Sequence, residues 1–200
     1  MRTSAAPSLE GLAEGEAACR NCELFADATQ VVPGDGPQNA RLMFVGEQPG
    51  DREDLEGRPF VGPAGRMLDR ALAEAGIERG EVFITNAVKH FRWQPRGKKR
   101  IHQKPNLRHI RACQPWLEAE VVAIEPEVLV CLGAVAAQAV LGADARVTEL
   151  RGRRIESPWA PSVLVTVHPS SLLRQQDDVA RREAFAAFVK DLAAARALLK

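Results

Sequence analysis

An α/β fold with helices on both faces of a mainly parallel sheet is predicted by three runs of this chain. Leu42-Met43-Phe44-Val45, Val82-Phe83-Ile84 and Val163-Leu164-Val165-Thr166-Val167 are short, rich in β-branched or aromatic residues, and followed by helix-like stretches. Such continuous apolar runs suit strands buried on both faces, as parallel strands are. Each run leads into a polar motif: Gly46-Glu47-Gln48-Pro49-Gly50, Thr85-Asn86 and His168-Pro169-Ser170-Ser171. Ligands of open parallel sheets bind beyond the carboxyl ends of the strands. Glu47, Asn86 and His168 are therefore expected at one rim.

Taken in order, the first strand is expected over Arg41–Val45, followed by a long loop and a helix near Ala64–Ala75 that Gly76 stops. Val82–Thr85 is the second strand, and Lys89–Asn106 a long basic loop. A helix over Leu107–Ile124, a strand over Val128–Leu132 and a helix over Ala134–Leu141, entered through Gly133, come next. Arg146–Ser157 reads as a small hairpin or loop before the strand Val163–Val167. In the last helix, Val179–Leu199, Phe185, Phe188, Val189 and Leu192 recur at helical spacing and belong to the core. This alternation gives a three-layer α/β/α arrangement around a four-stranded, mainly parallel sheet.

Two hundred residues suit one domain. Residues 1–17 read as a loose tail and 18–200 as the domain, expected to be a monomer. No apolar run reaches the ~20 residues that span a bilayer. Met1–Ala17 lacks the basic start and apolar stretch of a signal peptide. A cytoplasmic protein without membrane contact is expected.

The net charge of +1 conceals an asymmetry. From Val82 to Leu117 there is no Asp or Glu, yet nine of the 27 Lys and Arg lie there: Lys89, Arg92, Arg96, Lys98, Lys99, Arg100, Lys104, Arg108 and Arg111. The rest of the chain sets 18 basic residues against 26 acidic ones. A basic stretch on an acidic body suggests a surface for a polyanion; a solvated basic loop is the plainer alternative.

Four cysteines, Cys19, Cys22, Cys113 and Cys131, include one Cys-x-x-Cys pair in a polar segment before the first strand. In a cytosolic chain this favours metal ligation over a disulfide. The spacing alone leaves zinc, an iron–sulfur cluster, or two ligands with two core cysteines all open.

Together the motifs resemble the uracil-DNA glycosylase superfamily, in its family 4 iron–sulfur branch. The matching segments are Cys19-x-x-Cys22, Gly46-Glu47-Gln48-Pro49-Gly50, Gly57-Arg58-Pro59-Phe60-Val61-Gly62, Ile84-Thr85-Asn86, Ala112-Cys113-Gln114-Pro115-Trp116-Leu117, Val130-Cys131-Leu132-Gly133 and His168-Pro169-Ser170-Ser171. The resemblance implies a [4Fe–4S] cluster on all four cysteines. Gly97-Lys98-Lys99-Arg100-Ile101-His102, Gln48 and Lys89-His90-Phe91 look like the UdgX-type subgroup, whose members excise uracil and become covalently trapped through the histidine of this loop. Here that histidine is His102. Lys99 stands where the subgroup often has Arg. His109, on the following helix, reads as a surface or packing residue.

The resemblance also implies roles. His168 donates a hydrogen bond to uracil O2 as charge develops. Asn86 matches uracil O4 and N3–H with one amide, and Phe60 stacks on the flipped base. Gly46 lets the backbone approach the base. Glu47 stabilises the sugar cation or orients His102, with Gln48 grouped beside them as catalytic. Arg100, Lys98, Lys99, Ser170, Ser171 and Arg174 are expected on phosphate or, for Arg100, on the loop itself. Simpler readings exist for each: a strand cap for Asn86, a loop anchor for Phe60, a phosphate contact for His102. Uracil-containing DNA is the expected partner, single-stranded by preference because flipping then needs no unpairing. A turning-over glycosylase and a non-catalytic nucleic-acid-binding module are the rival readings.

Overall fold

The computed structural model describes residues 8–175 and 177–199. Helices α1 (Leu9–Ala17) and α2 (Leu24–Asp27) precede strand β1 (Leu42–Gly46), which leads into helices α3 (Asp51–Glu56) and α4 (Pro63–Glu74). Strand β2 (Val82–Asn86), the pair β3 (Trp93–Arg96) and β4 (Lys99–His102), and helix α5 (Leu107–Ile124) follow. The remainder is β5 (Val128–Leu132), α6 (Ala134–Leu141), α7 (Val147–Leu150), β6 (Ile155–Ser157), β7 (Ala160–Thr166), α8 (Pro169–Leu172) and α9 (Asp178–Arg196).

The main sheet has the order β2-β1-β5-β7-β6. The first four strands are parallel and β6 pairs antiparallel with β7. Because successive side chains alternate across a strand, Leu42 and Phe44 pack with Leu68 and Leu72 of α4 and Phe188 and Leu192 of α9. Met43 and Val45 face Ile110 and Leu117 of α5 and Val135 of α6. Both faces are covered, which is why the strands carry no polar alternation. The chain passes from β1 to β2 on one side and returns to β5 on the other, so a crevice opens beyond the carboxyl ends.

Four features differ from the sequence expectations, the first being that the basic segment Lys89–Asn106, expected as a long loop, contains the β3–β4 hairpin. The sheet has five strands, not four: the three-residue edge strand β6 is too short to show a pattern. Residues 8–17 are not a loose tail. Ser8 caps α1 by accepting from the Gly11 N–H at 3.1 Å, and Leu12 and Glu16 are buried; residues 1–7 lie outside the described residues. The long loop after β1 contains α3, whose Asp-Arg-Glu-Asp start suits a helix N-terminus but offers only Leu55 to hydrophobic periodicity. Among the described residues no helix is long and apolar enough to cross a membrane.

Candidate active site

The carboxyl ends of β1, β2, β5 and β7 open into a cleft of about 980 Å³ whose lining includes Glu47, Phe60, Asn86, His102, His168 and Arg174. β1 delivers Glu47, β2 ends at Asn86, and β7 leads to His168. The three rim motifs thus share one concavity.

Asn86 is 2 % exposed, and its Oδ1 has no hydrogen-bond partner. A buried, unpaired acceptor is expensive unless a ligand completes it. Gly46 makes room here: a Cβ on it would lie 2.4 Å from Asn86 Oδ1 and 2.6 Å from Phe60 Cζ. Phe60 is buried and takes φ 56°, a left-handed conformation unusual for an aromatic residue. Its ring centroid lies 5.9 Å from that of His168. Glu53, bonding Gly62 N at 2.8 Å and Gly50 N at 3.1 Å, closes the loop that carries Phe60.

His168 is the N-cap of α8, with Nδ1 accepting from Ser170 N at 3.2 Å and facing Ser170 Oγ at 2.9 Å. A backbone N–H donating to Nδ1 requires the ring proton on Nε2. Burial, helped by the charges of His102 and Arg174, pushes the imidazole down to about 4. His168 is therefore a neutral donor at neutral pH. Ser171 Oγ donates to the His168 carbonyl at 2.8 Å, and Gly133, at φ 89°, has no room for a Cβ beside His168. Ser170 and Ser171 thus hold the histidine rather than standing free for phosphate.

His102 ends β4, with its Nε2 3.3 Å from Glu47 Oε1. Burial and then the Arg174 charge hold His102 below its ordinary 6.5, so it is neutral near pH 7. Glu47 is held above its ordinary 4.5 by burial, against the opposing pull of Lys104 and Arg174. The β3–β4 hairpin that presents His102 is strapped at its neck. Gln48 Nε2 donates to the carbonyls of Arg92 and Gln103, both at 3.1 Å, while Oε1 accepts from Arg92 N at 3.1 Å. The Gln48 amide is consumed in this brace, which corrects its grouping with the catalytic residues.

Arg100 is likewise turned inward. It bonds Asp51 at 2.6 Å, the fully buried Asp54 at 2.5 Å and Thr29 at 3.1 Å, and lies 5.5 and 5.6 Å from the Phe91 and Trp93 ring centroids. Of its two expected roles, fixing the loop is the one this geometry serves. Lys89 is 1 % exposed and bonds Glu120 at 2.6 Å, so it is not part of a polyanion surface. Arg96, Lys98, Lys99, Lys104, Arg108 and Arg111 do remain exposed. His109 is buried, bonding Glu23 at 3.0 Å. Sequence reasoning missed Asp51, Glu53 and Asp54; the available signal was an acidic cluster just past a rim strand, facing an acid-free basic stretch.

Cys22 and Cys113 are hydrogen-bonded to each other, which lowers Cys22 to about 6 and, with burial, raises Cys113. Cys131 sits inside β5, raised by burial. Cys19 Sγ accepts from Trp116 Nε1 at 3.2 Å. Among the described residues, no group of three or more His, Cys, Asp or Glu is arranged to hold a metal ion. The soft thiol donors and the Cys22–Cys113 pair nevertheless fit part of a thiolate site in chemistry.

Residues 33–193 match the model of the Uracil DNA glycosylase superfamily. The chain belongs to the uracil-DNA glycosylase superfamily. It is 38% identical over 175 residues to the Type-4 uracil-DNA glycosylase of Thermotoga maritima, covering 87% of this chain and 88% of that protein. Against the Type-4 uracil-DNA glycosylase of Sulfurisphaera tokodaii it is 36% identical over 174 residues, 83% of this chain and 76% of that protein. The Archaeoglobus fulgidus Type-4 enzyme is 35% identical over 173 residues, 83% of each. The matched span takes in the residues that line the cleft, from Glu47 to Arg174.

Proposed function

We propose that this chain is a uracil-DNA glycosylase that breaks the bond between uracil N1 and deoxyribose C1′ and releases abasic DNA with turnover. One observation carries the reading: the neutral His168 and the unpaired, buried Asn86 oxygen line one cleft, with Phe60 against the imidazole. The relatives named above support turnover chemistry. In the reaction the N1–C1′ electron pair leaves with the base, and the His168 Nε2–H donates to uracil O2 as negative charge develops there. Asn86 Oδ1 accepts from N3–H while its amide donates to O4, a pattern that cytosine reverses. Water bonds to C1′ and gives up its proton to Glu47, whose carboxylate also offsets the cationic character of the sugar.

A second reading concerns the fate of the sugar. His102, within 3.3 Å of Glu47 at the cleft, is a neutral imidazole where the nucleophile is needed. In the UdgX-type reading a ring nitrogen bonds to C1′ as uracil leaves, and the ring's proton passes to Glu47. The protein then stays attached to DNA. The Gln48 and Arg100 braces support this reading, because an attacking histidine needs a fixed hairpin.

Incubation with a uracil-containing single-stranded oligonucleotide, followed by denaturing electrophoresis, separates the two. Free uracil with multiple turnovers and no shifted band supports the turnover enzyme. A denaturation-resistant band that His102→Ser abolishes supports capture. Neither product would leave a nucleic-acid-binding module. Single strands are the preferred substrate, since a paired uracil must first be unpaired at about a few kcal/mol. Action as a monomer is part of the proposal.

A [4Fe–4S] cluster on Cys19, Cys22, Cys113 and Cys131 is part of the proposal, supported by the Cys22–Cys113 contact and the indole N–H on Cys19. When bound it would cross-link the amino-terminal segment to α5 and β5. Iron and sulfide content with visible absorption tests it; Cys22→Ser is expected to lose both.

A further inference from the structure

Asn86 poses a positioning problem. An amide that reads a base must keep its own donors and acceptor free, and Asn86 Oδ1 indeed has no partner. Its orientation has to be imposed by the backbone that carries it. That backbone is pinned on both sides. Ala87 N donates to Gly46 O at 3.0 Å and Val88 N to Glu47 O at 3.1 Å, tying the segment to the rim. On the opposite face of β2 lies a buried polar knot. Lys89 Nζ donates to Thr85 Oγ1 at 2.5 Å and to Glu120 Oε2 at 2.6 Å. Thr85 Oγ1 donates in turn to Glu120 Oε1 at 3.0 Å, which also accepts from Gly34 N at 3.0 Å. Glu16 of α1 stands 3.8 Å from the same ammonium. Thr85, Lys89 and Glu120 are each at most 2 % exposed, so none reaches DNA.

We infer that the Thr85–Lys89–Glu120 knot is a specificity device: it clamps the five-residue segment around Asn86 so that the unpaired amide is held in register for uracil. The inference rests on the proposed uracil-DNA reading. Thr85 and Lys89 flank Asn86 at its two ends, and one carboxylate on α5 receives both. These are positioning residues, acting through Asn86 and touching no substrate.

Thr85→Val is the informative variant. It keeps the β-branched shape that suits the strand and leaves the Lys89–Glu120 ion pair intact, cutting only the tie to β2. The measurements are equilibrium dialysis of free uracil, affinity for an oligonucleotide carrying an abasic-site analogue, and melting temperature. Expected is about a tenfold loss of uracil affinity, the size of one lost hydrogen bond, with analogue affinity unchanged, while the melting temperature falls because Lys89 and Glu120 each lose a buried partner. Thr85→Ser should restore uracil binding. If Thr85→Val does not fold, Lys89→Met with Glu120→Gln and Glu16→Gln removes the charges together, keeps an acceptor for Thr85 and Gly34, and should give the same selective loss. Unchanged uracil affinity overturns the inference, as does a parallel fall of both affinities with melting temperature. A wild-type protein that neither excises nor binds uracil overturns the functional reading itself.

Discussion

In the proposed function Asn86 and His168 divide base recognition between a group that is left unpaired and a group that is fully fixed. His168 spends Nδ1 on Ser170 so that Nε2 must donate, whereas Asn86 keeps its oxygen for the ligand. Asn86→Ala is expected to lower kcat/KM for uracil excision about 100-fold, as the loss of two hydrogen bonds would, without changing the melting temperature. The pH dependence follows from Glu47 and the histidines. Glu47 must be ionised, and its raised value places the acid limb of uracil release above 4.5. Protonation of His102 sets in at lower pH than for a free imidazole, which moves the loss of any capture step to more acidic buffer. Both histidines bind protons more readily in the unfolded chain. Their contribution to stability is therefore present above 6.5 and lost as pH falls through the folded values, about 4 for His168. Urea midpoints across that range should fall with pH, less so in a His168→Gln variant. The rim positions were legible because strand ends follow from apolar runs. The engagement of Gln48, Arg100 and Ser170 was not, since the partners of a long or adaptable polar side chain are set by tertiary structure.

At the scale of elements, the β3–β4 hairpin is the least self-sufficient part of the site. A two-stranded hairpin is marginal alone, and this one is held by the Gln48 neck strap and the Arg100–Asp54 anchor. Arg100→Met combined with Asp54→Asn, which leaves no buried charge stranded, should leave global stability nearly intact but let the hairpin open. Hydrogen exchange is expected to quicken about tenfold for Ile101–Gln103 amides, while β1 and β2 amides keep their protection. A capture band, where formed, should weaken in parallel, and uniform protection across the hairpin would contradict the anchor role. The same contrast explains which elements the sequence announced. α5 was expected over Leu107–Ile124, the bounds it takes, and Asn106 caps it, its side chain accepting from His109 N at 3.2 Å. The helices α1 and α3 and the edge strand β6 escaped notice because each is short and made by contacts with distant segments rather than by its own periodicity.

For the whole molecule, charge and fold meet at one surface. The acid-free stretch of the sequence becomes a hairpin and a helix start beside the cleft, but its nine cations split into two populations. Lys89 and Arg100 are internal, serving the knot and the anchor. Arg96, Lys98, Lys99, Lys104, Arg108 and Arg111 are exposed on the hairpin and after it, and Arg92 stands between the two groups, half-buried. Only the exposed group can release counterions on binding a polyanion, so counting basic residues in the sequence overstates the DNA footprint. Lys98→Ala with Lys99→Ala should lower the slope of log affinity against log salt by up to about 1.4 on single-stranded DNA, at ~0.7 per phosphate contact. Free-uracil affinity should stay at the wild-type value, since neither side chain reaches the base cleft. A salt series on matched uracil and thymine oligonucleotides measures both effects: the slope should change equally on the two, and the ratio of their affinities should not move. An unchanged slope would place the DNA path away from the hairpin tip, toward the cations that follow β4.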